Sequence, residues 1–115
     1  MTDQQAMRRI DARLAHVWMV RTFLKHSEEA EDDEELCNVH RSLYDAMLSL
    51  GDAWHRQDAT AYLKQARKKL PRLRSATAQF HKIQPEVSGH TNFRMAAASL
   101  ETAVSEIVAI LDKVS

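Results

Sequence analysis

Long apolar runs are missing from these 115 residues, so no segment reads as a membrane span. A single cysteine, Cys37, excludes an internal disulfide and fits a reducing compartment. Only two glycines are present, too few for a phosphate-cradling loop. No stretch alternates apolar and polar residues long enough to read as a strand. The opening residues, MTDQQAMRR, lack the apolar core of a secretory signal. These absences lead us to expect one cytoplasmic, all-α domain spanning residues 1–115.

What is present is apolar spacing. Four seams repeat at steps of three and four residues, which keeps each on one side of a 3.6-residue helix. They are Met7, Ile10, Leu14, Val17, Arg21, Leu24; Leu36, Val39, Leu43, Ala46, Leu50, Ala53; Leu63, Ala66, Leu70, Leu73, Thr77, Phe80; and Phe93, Ala97, Leu100, Val104, Ile107, Leu111, Val114. Flanking apolar residues such as Trp18, Val20, Met47, Trp54 and Tyr62 widen them beyond a coiled-coil stripe. The pattern predicts an antiparallel up-down-up-down four-helix bundle, each helix about 24 residues and about 36 Å long.

The punctuation fits that count. Thr2 with Gln5, and Asp32 with Glu35, have capping-box spacing. Asp58 is placed to cap the third helix, and Thr91 or Asn92 the fourth. Pro85 and Gly89 are expected in the last connection. Gly51 interrupts the second seam without ending it, since the register continues to Ala53 and Trp54. Pro71 interrupts the third, yet the register is unchanged across it, which predicts one helix kinked at Pro71.

The net charge is zero, but the charges are segregated. Residues 28–35, EEAEDDEE, hold seven acids. Between Arg56 and Lys82 stand eight basic residues and one acid. Lys64, Arg67, Lys68, Arg72 and Arg74 form a basic face opposite the third seam. A solvated surface is the first expectation for it; an electrostatic footprint for nucleic acid is the sharper one. No aromatic residue is interleaved on that face, so nucleic acid is not the favoured partner.

Two features break the pattern. Arg21 occupies a seam position, where an unpaired guanidinium is expensive to bury; Glu101 is its expected partner. His16, Met19, Phe23 and His26 form a second stripe on the first helix, away from the core. That stripe is the expected interaction surface, and a homodimer or another protein its expected partner. The six histidines lack metal-site spacing: no glutamate stands three residues before any of them. No metal or other cofactor is expected. No nucleophile has a base at a suitable spacing, so a binding module is expected in preference to an enzyme.

Arg21-Thr-Phe-Leu-Lys-His26 resembles the arginine–spacer–histidine signature of HEPN-type ribonucleases, small helical bundles that cleave RNA in a dimer cleft. The resemblance covers six residues and implies a catalytic role for Arg21 and His26. The chain is also similar in size and helical character to histidine phosphotransfer domains. There His40 would stand at the phosphoacceptor position, followed by Arg41-Ser-Leu-Tyr instead of the family's lysine and glycine.

Overall fold

The computed structural model describes Met1 to Val114. Those residues are all-helical, in six segments: α1 (Asp3–Lys25), α2 (Glu29–Asp32), α3 (Glu34–Leu48), α4 (Gly51–His55), α5 (Ala59–Val87) and α6 (Thr91–Lys113). α1 packs against α3 and α6, and α5 packs against the same two helices. The buried side chains form one continuous cluster between them.

The seams are buried almost throughout. Every member of the second and fourth seams is buried, including Val114 just past the end of α6. The first seam is interrupted only at Arg21 and the third only at Leu70. Leu70 precedes Pro71 and is half-buried, whereas its register predicts full burial. Thr77 keeps its seam place by turning its hydroxyl inward to donate to the Leu73 carbonyl at 2.7 Å.

The helix ends follow from the chain's own polar residues, with some reassignment. Thr2 and Gln5 form the capping box that opens α1, and Asp58 accepts the Ala61 amide at the start of α5. At the second helix Asp33 is the cap instead of Asp32, accepting from the Leu36 amide at 3.0 Å. The difference arises because Glu29–Asp32 coil into a helical turn of their own. At α6 the cap is His90, whose Nδ1 accepts the Asn92 amide, so Thr91 is already helical.

The second helix is divided. α3 ends at Leu48 and α4 begins at Gly51, with Ser49 and Leu50 between. The Ser49 hydroxyl donates to the Ala46 carbonyl at 2.6 Å. Such local bonding competes with the helical ladder, and Gly51 adds backbone freedom. The seam nevertheless stays in register, since Leu50 and Ala53 are buried. α4 ends in a Schellman motif: the Asp58 amide donates to Ala53 and the Gln57 amide to Trp54. Gln57 sits at φ 55°, a left-handed conformation usually given to glycine.

α5 runs unbroken through both prolines. Pro85 lies inside its last turn, not in the connection as its residue type suggested. Both prolines are exposed, so the carbonyls they leave without a backbone donor lie on the outer side of the helix. No helix among the described residues is long and apolar enough to cross a membrane.

Candidate functional site

The stripe expected on α1 is split by its neighbours. His16 and Met19 are exposed, Met19 at 65% of its surface. Phe23 is half-buried and meets Phe93 of α6 edge to face, with ring centroids 5.0 Å apart. His26 is exposed and forms the C-cap of α1. The structure extends the surface in another direction, onto α6. Met95, 47% exposed, shares a shallow trough with His16, Met19 and Phe23. A second trough continues from His16 and Met95 along Ala98, Ser99 and Thr102. Glu106 at its far end is bound to Arg13 at 2.7 Å.

Arg21 does not meet Glu101. Glu101 instead lies 3.5 Å from His81 across α5 and α6. The guanidinium of Arg21 rests against two rings, 4.9 Å from the Trp18 centroid and 4.4 Å from that of Tyr44. Cation–π attraction of this kind contributes about 0.5–2 kcal/mol per pair, depending on desolvation. It explains how an arginine is tolerated at a seam position without a carboxylate. Arg21 Nε is buried and has no hydrogen-bond partner among the described residues.

The outer part of Arg21 lines a cleft of about 450 Å³ between α1 and α3, with Lys25, His40, Arg41, Tyr44 and Asp45. His26 is not part of this cleft; the histidine beside Arg21 is His40. Burial pushes the His40 pKa down, and the charges of Arg41, Arg21 and Lys25 push it the same way. Asp45, the cleft's one carboxylate, is also 3.5 Å from Arg72 of α5.

Beside this cleft lies an aromatic groove of about 380 Å³, also walled by Tyr44. Trp18, Trp54 and Tyr62 line it as well, so both tryptophans and both tyrosines of the chain meet there. Trp18 and Tyr44 are one tilted pair and Trp54 and Tyr62 another, each with centroids 6.1 Å apart. Asp11 is on the rim, its carboxyl pKa raised by partial burial. Tyr62 is 1% exposed, and its hydroxyl has no hydrogen-bond partner among the described residues. Burial raises the phenol pKa, and the nearby Asp11 charge adds to the rise.

The basic face is partly occupied by the protein itself. Arg72 is engaged with Asp45, and Arg67 donates to the Val114 carbonyl. Among the described residues, no ion pair joins the acidic run 28–35 to this face.

Sequence reasoning singled out Arg21 but missed its surroundings. Lys25 one turn on was a usable signal. The approach of His40 and Arg41 from another helix was not. No protein-family model, curated protein or solved structure matches this chain.

Proposed function

We propose that this chain is a protein-interaction module that self-associates through the face shared by α1 and α6. The observation that carries the reading is the pairing of Met19 and Met95, both large, exposed and on adjoining troughs. Two flexible methionines beside a strip of small residues, Ala98, Ser99 and Thr102, make a surface that complements itself. A two-fold axis would set the methionines of one copy into the small-residue strip of the other. Charge does not oppose this packing, since the one carboxylate in the troughs, Glu106, is neutralised by Arg13 of the same chain.

The same reading takes the molecule as an antiparallel four-helix bundle in which α4 prolongs α3. The packing of α1 and α5 each against α3 and α6 supports it. Exposed Pro71 beside half-buried Leu70 supports a bend in α5 there. The single cysteine supports a cytoplasmic setting.

The test is solution mass by sedimentation equilibrium for the wild type and for Met19→Asp combined with Met95→Asp. The wild type is expected as a dimer and the variant as a folded monomer with unchanged helicity. Phe23→Asp is a poorer probe, because Phe23 packs on Phe93 and its loss would disturb the core. A wild type that stays monomeric at the highest soluble concentration would end the self-association reading.

A further inference from the structure

The α1–α3 side of the molecule carries a second surface that the dimer face does not use. Its two halves differ in chemistry and touch at Tyr44. One half presents Arg21, Lys25 and Arg41 around a cleft. None of these three is within ion-pair distance of a carboxylate among the described residues, and Asp45 faces Arg72 as well. Mutual repulsion of three cations is unfavourable unless an anion joins them. Arg21 is held in place by its two rings, so little side-chain freedom remains to be lost on binding.

The other half is an aromatic groove in which exposed ring surface remains, with Trp18 44% exposed. Its volume is in the range of small-ligand sites. Asp11 stands on its rim, ten residues before Arg21 and so about 15 Å away along the helix axis at 1.5 Å per residue.

We infer that the α1–α3 cleft binds a free nucleoside phosphate, with its phosphates among Arg21, Lys25 and Arg41 and its base against the aromatic groove. Phosphate oxygens match the forked donors of the two arginines and the point charge of the lysine. A flat heteroaromatic base stacks on indole and phenol rings whatever its identity. The Asp11 carboxylate accepts from an exocyclic amino group. An acyl chain with an anionic head would satisfy the cationic half equally well. It would, however, lay hydrocarbon over Asp11 and leave that carboxylate desolvated and unpaired. The rim carboxylate is therefore the observation that favours a base over a lipid tail.

Trp18 and Trp54 are the only tryptophans and both line the groove, so intrinsic fluorescence reports on the site directly. The full chain would be titrated with ADP, inorganic pyrophosphate, dodecyl phosphate and a short oligoadenylate at low salt. ADP should change the emission and bind at least tenfold more tightly than pyrophosphate, with dodecyl phosphate no better than pyrophosphate. Lys25→Gln and Arg41→Gln, both at exposed positions, should weaken ADP at least tenfold while circular dichroism is unchanged. Lys64→Gln and Lys68→Gln, on the basic face of α5, should leave it unaltered.

Equal affinity for ADP and pyrophosphate would show that the base makes no contact and would overturn the inference. Preference for dodecyl phosphate would replace it with a lipid site. An oligoadenylate binding more than tenfold tighter than ADP would replace it with a nucleic-acid tract. Loss of binding in the α5 variants equal to that in Lys25→Gln would reduce it to diffuse charge. These readouts are independent of oligomeric state, because the cleft and the α1–α6 troughs share no residue.

Discussion

Replacing Tyr62 with phenylalanine should make this protein more stable, against the usual direction of core substitutions. Tyr62 is 1% exposed, and its ring packs against Trp54 with centroids 6.1 Å apart. Phenylalanine keeps that ring and the apolar burial. What it removes is a hydroxyl that is buried and has no hydrogen-bond partner among the described residues. In the unfolded chain that hydroxyl is open to solvent; in the folded chain it is buried. An unsatisfied buried polar group costs about 1–3 kcal/mol. The lower end of that range is the better figure, because Asp11 lies close enough to act on the phenol electrostatically. The small void left by the lost oxygen offsets part of the gain. The expected net gain is therefore about 1 kcal/mol, or about 4 °C in Tm for a domain near this size. Urea titrations followed by circular dichroism would read it as a raised midpoint at unchanged m-value. Tyr62→Leu serves as the control, since it removes hydroxyl and ring together and should destabilise. If Tyr62→Phe instead lowers the midpoint by as much as Tyr62→Leu, the hydroxyl has a partner and the reasoning fails.

Leu100 is fully buried and should cost about 2–5 kcal/mol when truncated to alanine, whereas half-buried Leu70 should cost clearly less and exposed Lys64 almost nothing. Equal midpoint shifts for Leu100→Ala and Lys64→Ala would contradict the seam assignment. Partial burial raises the Asp11 pKa, so the folded protein keeps a proton that the unfolded chain loses first as pH rises. Stability therefore falls as pH rises from the ordinary carboxylate value through the folded one. Asp11→Asn should accordingly be more stable than wild type at neutral pH, the difference vanishing in acid; a constant difference across that range would argue for a packing effect.

The seams were legible from residue order because burial of an apolar stripe depends on helical periodicity, and periodicity is local. Met7, Leu43, Phe80 and Ile107 could be assigned to the core without knowing what they touch. Thr2 and Asp58 were legible as caps for the same reason, since a cap bonds within its own turn. The failures were competitions between near neighbours. Asp32 and Asp33 are alternative caps, and the choice turned on whether residues 29–32 coiled. His90, a residue type seldom counted as a cap, took the place expected of Thr91 or Asn92. Ser49 divided the second helix although Leu50 and Ala53 kept its register. The fate of Arg21 could be read locally only in part, since Trp18 stands three residues before it on the same helix and Tyr44 does not. Its position predicted a costly burial and a carboxylate partner, Glu101. The tertiary fold instead supplied Tyr44 from α3 to complete an aromatic seat with Trp18. The gathering of Trp18, Tyr44, Trp54 and Tyr62 into one groove likewise depends on α1, α3, α4 and α5 converging. A single helix determines which face each residue takes. Only the packing of several helices decides which faces meet, because contacts between residues distant in the chain follow from the relative placement of whole helices.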